Sequence, residues 1–320
     1  MISLSIYNGH NAAICIRKDK EILLNWELER FTRIKHDYGF NQEFLEKSLS
    51  ICNLKMEDLD VILTNSLDYS RKLPWKVPST ADNKIQVVEF RINNKPAYAI
   101  NHHLAHVASS YFTSPFDDST VITYDAGGDN ANFSIATAKG SKIISFSSQS
   151  VLSLASYWSG ITLNNYRMKR LHEWDPGSGA GKIMGLASYG KATNELENLI
   201  KNTMAEPRKK YYTDPHSRAF NNDEDLSDVS SQKSQDVAAS IQSFTEKFLR
   251  DTYNHAYKYL PNDNLCMAGG IALNCVANTK VKSDYKNLHV PPFPNDSGLA
   301  AGMSLFHWHH ILNNNKNFNF

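Results

Sequence analysis

Net charge is the first thing this chain lacks. Its 34 Lys and Arg stand against 33 Asp and Glu, a formal balance of +1 over 320 residues. That argues against a nucleic-acid binder driven by bulk electrostatics. Cysteine is scarce as well. Cys15, Cys52, Cys266 and Cys275 form no C-x-x-C pair, which removes a disulfide framework and a thiolate metal site. Their scatter through apolar stretches suits buried free thiols in a reducing cytosol. No apolar run approaches the roughly 20 residues that span a bilayer. The opening Met1-Ile-Ser-Leu-Ser-Ile6 has neither a basic start nor a long apolar core, so we expect no signal peptide, no membrane partner and a cytoplasmic protein.

What is present is a hydrophobic content of 41%, enough for one large domain or two packed lobes. Strands are expected at Ile2–Tyr7, Ala12–Arg17 and Glu21–Trp26, then a helix over Asn41–Leu54 and a buried strand at Asp60–Thr64. The pattern returns with strands at Thr120–Tyr124, Phe133–Ala138, Lys142–Ser147 and Leu265–Ala268, and a helix over Asp236–Leu260. This is a duplicated β-β-β-α-β unit, α/β in class. We expect one lobe over residues 1–117 and a second over 118–320, with the C-terminal helix returning to the first. Asp68–Asn83 and Ala205–Ser234 look irregular, and the tail Asn313–Phe320 looks frayed.

Chemistry concentrates at a few element ends. His102 and His106 are four apart, so on a helix they lie one turn apart on one face. Such a pair is half of a metal site, and neutral imidazole suits zinc, iron and related ions. The run Val121–Tyr124 delivers Asp125, followed by Gly127 and Gly128, and Asn295-Asp296-Ser-Gly298 opens an apolar helical stretch. Two histidines and two aspartates so placed could close around one ion or one polyphosphate. Gly269 and Gly270 stand at a strand-to-helix turn ending in Asn274, where a ligand can approach main chain, or where a tight packing turn is needed. Gly179 to Lys191 lacks the P-loop pattern because Ile183 follows Lys182. Lys182 is either an anion contact or a solvated lysine.

Read together, the motifs form an ordered series. They are Gly9-His10, Glu29-Arg-Phe-Thr-Arg-Ile-Lys-His36, His102-His-Leu-Ala-His106, Thr123-Tyr-Asp125, Gly181-Lys-Ile-Met-Gly-Leu-Ala187 with Tyr189-Gly190, Gly269-Gly-Ile-Ala-Leu-Asn274 and Pro294-Asn-Asp-Ser-Gly-Leu-Ala300. In this order the chain resembles the NodU/CmcH/TobZ family of O-carbamoyltransferases, from Met1 to about Leu305. It is more distantly similar to the tRNA threonylcarbamoyl-transferase family. The resemblance implies an actin/Hsp70/sugar-kinase-like (ASKHA) fold, two lobes around a cleft. It implies His102, His106 and Asp296 as ligands of a divalent metal (iron(II), zinc or manganese), with Asp125 at the metal and the nucleotide phosphates. Gly127, Gly128, Lys182, Gly269, Gly270 and Asn274 would bind ATP or carbamoyladenylate. His10 and Lys35 would line the acceptor and carbamoyl pocket as catalytic residues.

The family reaction makes carbamoyladenylate from carbamoyl phosphate and ATP, then transfers the carbamoyl group to a hydroxyl of a small molecule such as a sugar. Family members usually carry Asp where this chain has Asn11, and an acidic residue where it has Ala180. They normally append a YrdC-like domain that makes the adenylate. The chain ends at Phe320, so we expect a separate YrdC-like protein to supply that step. A homodimer is left open. Transfer to a modified nucleoside or nucleotide, and a non-catalytic nucleotide-binding role, are the competing expectations.

Overall fold

The computed structural model describes residues 1–65, 72–81, 86–171, 178–205, 224–281 and 285–316. Two sheets are built on one plan. In the first, β1 (Ile2–Tyr7), β2 (Ala13–Lys18) and β3 (Glu21–Glu27) form an antiparallel meander, and β4 (Val61–Thr64) joins β1 in parallel. The hairpin of β5 (Val87–Ile92) and β6 (Lys95–Ile100) extends it to the order β3-β2-β1-β4-β6-β5. In the second, β7 (Asp118–Gly128), β8 (Ala131–Lys139) and β9 (Lys142–Gln149) repeat the meander. There β10 (Asn264–Ala268) pairs parallel to β7 and β11 (Asn287–His289) to β10. Three antiparallel strands followed by parallel additions beside the first, made twice, is the actin/Hsp70/sugar-kinase-like fold.

Alternation along the strands decides what each face covers. Leu4 and Ile6 of β1 join Ile14 and Ile16 of β2 beneath Phe44, Leu45 and Leu49. Those three belong to α2 (Gln42–Ile51), which follows a short α1 (Leu28–Thr32) and is capped by the Asn41 side chain on the Phe44 amide at 2.8 Å. The other face of β1 presents Ser3, Ser5 and Tyr7. It meets a layer formed by α3 (His102–Tyr111) and α9 (Leu299–Leu305). α9 lies on β1, β2 and β4; α3 lies on β7, β8 and β10; the two helices pack on each other. Gly302 permits that approach, since a Cβ there would overlap the Ala105 carbonyl. Buried Arg17 fastens the end of α9, with Nε on Ser304 Oγ at 3.1 Å and its guanidinium 4.6 Å from the Trp308 ring.

Contacts divide the chain into two compact units, Met1–Val151 with Asn262–Leu273 and Asn287–Phe320, and Leu152–Pro261 with Asn274–Lys286. Both sheets, one on each side of the anticipated boundary after residue 117, belong to the first unit. The second is helical: α4 (Leu154–Gly160), α5 (Ala180–Leu186), α6 (Asn194–Ala205), α7 (Gln232–Tyr259) and α8 (Cys275–Lys280). The long α7 packs against α5, α6 and α8, and Trp158 Nε1 donates to Thr245 Oγ1 at 3.0 Å.

Several sequence expectations need adjustment. The β5–β6 hairpin was not anticipated. α7 begins four residues early because the Ser231 side chain caps it on the Ser234 amide. Cys275 is exposed at the start of α8 and Cys52 is half-buried, so only Cys15 and Cys266 are buried thiols. Residues 313–316 are tethered rather than frayed: Lys316 Nζ donates to Ser114 Oγ at 3.1 Å and sits 3.9 Å from the Tyr111 ring centroid. Much of the two irregular stretches, 68–71, 82–83 and 206–223, and the last residues, 317–320, lie outside the described residues. Among the described residues no helix is long and apolar enough to cross a membrane.

Gly302→Ala should drive α3 and α9 apart. The expected cost is about 1–3 kcal/mol, the usual range for overpacking, seen as a lower urea midpoint with an unchanged slope. An unaltered midpoint would mean the helices have room to spare.

Candidate metal centre

The N-terminal turn of α3 is unusually well held. Asn101 Oδ1 accepts from the Leu104 amide at 3.2 Å, and Asp129 Oδ2 accepts from the His102 amide at 2.7 Å. Thr80 links the two, donating from Oγ1 to Asp129 Oδ2 at 2.9 Å and accepting at its carbonyl from Asn101 Nδ2 at 3.3 Å. The helix therefore delivers His102 and His106 in fixed positions, both buried, with ring centroids 4.8 Å apart. Gly128 leaves the space that the His102 imidazole fills, since a Cβ there would overlap the ring.

Asp125 sits where the β7–β8 register breaks between Tyr124 and Gly128. Its Oδ1 accepts from the Gly270 amide at 3.0 Å and the Ala126 amide at 2.8 Å. Its Oδ2 lies 3.1 Å from His102 Nε2 and 3.2 Å from His106 Nε2. Asp296 enters from the turn before α9. Its Oδ1 lies 3.6 Å from His102 Nε2 and 3.3 Å from His106 Nε2, while Oδ2 accepts from the Tyr7 hydroxyl and lies 3.2 Å from His10 Nε2. The four residues anticipated as ligands thus converge, one donor atom each, within 4.8 Å of one another.

The spacing suits a cation. Donors about 2.0–2.2 Å from one ion, arranged tetrahedrally, stand roughly 3.3–3.6 Å from each other, close to the imidazole–carboxylate separations of 3.1–3.6 Å. Asp296 Oδ1 is also buried and faces the two imidazole nitrogens at 3.3 and 3.6 Å, where a positive charge between the groups offsets the cost of burying the carboxylate. Two imidazole nitrogens and two carboxylate oxygens form a set that zinc, iron(II) and manganese all accept.

Without a cation the carboxylates favour the protonated form of His106. Burial pulls the His106 pKa down, but hydrogen bonds and charges from Asp125 and Asp296 override it and lift it to about 9. Burial raises Asp125, and its bonds to His102 and His106 bring it well below the usual carboxylate range. Burial also opposes a charged His10, yet Asp296, the Asn11 bond and Asp125 leave its pKa raised.

The remaining anticipated residues are distributed as follows. His10, in the β1–β2 turn, joins the cluster through Asp296, and its Nδ1 pairs with Asn11 Oδ1 at 3.0 Å. Asn11 therefore offers the oxygen an aspartate would. Lys35 donates from Nζ to Glu29 Oε1 at 2.9 Å, and Glu29 Oε2 accepts from the His36 amide at 3.0 Å. His36 Nδ1 pairs with Asn11 Nδ2 at 2.9 Å, so a chain of partners links Lys35 to His10. Gly127 is exposed at the end of β7. Gly269 has φ +92° and packs on the Tyr124 backbone, and Gly270 donates to Asp125. Asn274 belongs to the helical unit, capping α8 on the Ala277 amide at 2.9 Å and exchanging amide bonds with Gln242 at 2.9 and 3.1 Å. Lys182 lies exposed on α5 of that unit. Sequence reasoning missed Tyr7, Thr80 and Asp129, whose partners are remote in the chain.

The fold and this centre define an ASKHA-class protein with a buried two-histidine, two-aspartate cluster. Residues 69–305 match the family described as "Carbamoyltransferase N-terminus", and the chain belongs to that family. The MJ1051 protein of Methanocaldococcus jannaschii is 30% identical, over 94% of this chain and 56% of its own length. Nodulation protein NolNO of Sinorhizobium fredii is 24% identical, over 92% of this chain and 46% of its own. The chain spans about half the length of these curated relatives. Among solved structures, HypF of T. kodakarensis superimposes with a TM-score of 0.57 at 13% identity, over 98% of this chain and 48% of that one, a likeness of fold.

The pKa directions yield a signed prediction. His106, raised from 6.5 to about 9, adds stability to the cation-free protein that is complete below pH 6.5 and lost as pH rises through 9. Asp125 acts in the opposite sense, its contribution being complete above pH 3.8 and lost only in stronger acid. Chelator-treated protein should therefore melt at a lower temperature at pH 9 than at pH 6.5. Zinc-loaded protein should reverse that slope, because metal binding requires deprotonated imidazoles. Identical slopes with and without zinc would contradict the assignment.

Proposed function

We propose that this chain is the transfer part of an O-carbamoyltransferase, moving a carbamoyl group from carbamoyladenylate to a hydroxyl of a small molecule such as a sugar. The observation that carries the reading is the buried quartet of His102, His106, Asp125 and Asp296 with His10 Nε2 facing it, in a chain of the carbamoyltransferase N-terminus family. His102, His106, Asp125 and Asp296 would hold an iron(II), zinc or manganese ion, which would supply Lewis-acid chemistry there.

The chain's own residues do the rest. Asn11 Oδ1 can accept the Nδ1 proton of His10, which leaves Nε2 as the nitrogen directed at the reacting groups. In the transfer, that nitrogen takes the hydroxyl proton of the acceptor. The acceptor oxygen bonds to the carbamoyl carbon, the bond from that carbon to the phosphate oxygen breaks, and AMP leaves with the electron pair. Orientation of two bound reactants supplies much of the barrier reduction. Lys35, held on Glu29, and the backbone around Gly127, Gly128 and Gly270 serve the anionic donor. The donor itself is made by a YrdC-like adenylate-forming protein. This chain matches 56% and 46% of the length of two relatives, which leaves in them sequence for a further activity.

The test supplies synthetic carbamoyladenylate with a panel of sugars and nucleosides and detects carbamoylated product and AMP by mass spectrometry. Product is expected from the wild type. His10→Ala should lower the rate by roughly 10²-fold or more with metal content intact, whereas His102→Ala/His106→Ala should lose both. No product across a broad panel would move the assignment to a non-catalytic nucleotide binder. Robust product from carbamoyl phosphate and ATP alone would remove the separate YrdC-like protein.

A further inference from the structure

The two buried carboxylates share a feature that four ligands alone do not require: each has one oxygen tied off by the protein. Asp125 Oδ1 accepts from the Gly270 and Ala126 amides at 3.0 and 2.8 Å, leaving Oδ2 toward the imidazoles. Asp296 Oδ2 accepts from the Tyr7 hydroxyl, leaving Oδ1 toward the imidazoles. Tyr7 is 1% exposed at the end of β1, and its ring meets that of His102 edge-on at 6.1 Å. It therefore cannot swing away, and toward an ionised carboxylate a phenol can only donate. His10 Nε2 also faces Oδ2, at 3.2 Å, but His10 is only half-buried in a turn.

We infer that Tyr7 is a positioning residue that keeps Asp296 a one-oxygen ligand, so that a divalent cation at the quartet receives four protein atoms and can add a substrate oxygen as a fifth ligand. The inference rests on the metal assignment in the proposed function. An aspartate with both oxygens free closes on a cation with both, filling a position that substrate needs. Asp125 is prevented from doing so by main-chain amides, which mutation of a side chain does not remove. Asp296 depends on a hydroxyl, which one substitution deletes. Outer partners of metal ligands carry this kind of control.

The experiment loads full-length protein with cobalt(II) as a spectroscopic probe and titrates inorganic phosphate as the oxygen donor. Wild type should show the intense visible bands of low coordination and a phosphate-dependent change in them. Tyr7→Phe keeps the ring and removes the donor. It should show weaker bands, and its apparent phosphate affinity should fall roughly 10- to 100-fold, the scale of outer-partner effects. Tyr111→Phe is the control, since it removes a hydroxyl that donates to Asp117 and Gly140 carbonyls away from the quartet; it should match wild type. Equal spectra and equal phosphate response in Tyr7→Phe and wild type would overturn the inference while leaving the metal site standing. No uptake of cobalt or zinc by wild type would overturn both. Should Tyr7→Phe fail to fold, X-ray absorption of the zinc-loaded wild type decides: one-oxygen carboxylates support the role, and a two-oxygen Asp296 overturns it.

Discussion

Two carboxylates buried together set the terms for this molecule. Asp125 is 4% exposed and Asp296 1%, and charges so far from water are tolerated only when paired and hydrogen-bonded. Each is met by two imidazoles and by donors from elsewhere in the fold: main-chain amides for Asp125, the Tyr7 hydroxyl for Asp296. The cluster draws on the ends of β1 and β7, the first half of α3, the turn before α9 and the loop after β10. The strand and helix ends converge because the compensation of buried charge demands it.

That convergence needs thin packing. α3 and α9 occupy one layer between two sheets, and the residues that let them share it are small: Ala105 and Ala108 on one side, Ala300, Ala301 and Gly302 on the other. Gly128 over His102 and Gly269 over the Tyr124 backbone follow the same rule. The glycines near the centre thus have steric duties toward the protein itself, in addition to any they have toward a bound phosphate.

Much of this was legible in the sequence. Runs such as Ile2–Tyr7 and Val61–Thr64 are bounded by turn residues and read directly as strands, and the i, i+4 histidines read as a pair on one helix face. The β5–β6 hairpin was readable too. Val88, Phe90 and Ile92 alternate with exposed Glu89 and Arg91 before an Asn93-Asn94 turn with both φ positive. Pro96 obscures the second strand. It is tolerated because the parallel ladder with β4 begins one residue later, at Ala97. Tyr7, Thr80 and Asp129 were not legible, since their roles come from pairings across 289, 49 and 27 positions, and no local pattern encodes such a partner. The substitution of Asn11 looked like a departure, but its Oδ1 performs the hydrogen bond toward His10.

In sequence the helical unit occupies the connection from β9 to β10 and most of the stretch between β10 and β11. β7 therefore waits for a partner strand far away in sequence, the first register pair being Thr120 with Leu265. Closing so long a loop is entropically unfavourable and slow compared with forming the local meanders. On a ribosome, His102, His106 and Asp125 emerge well before Asp296. Nascent chains hold three of the four donors without the strand pairing or the helix layer that aligns them, and the fourth arrives with the segment that completes the sheet. Assembly of the centre is thereby tied to the final stage of folding, which gives the chain a built-in order: architecture first, cation afterwards.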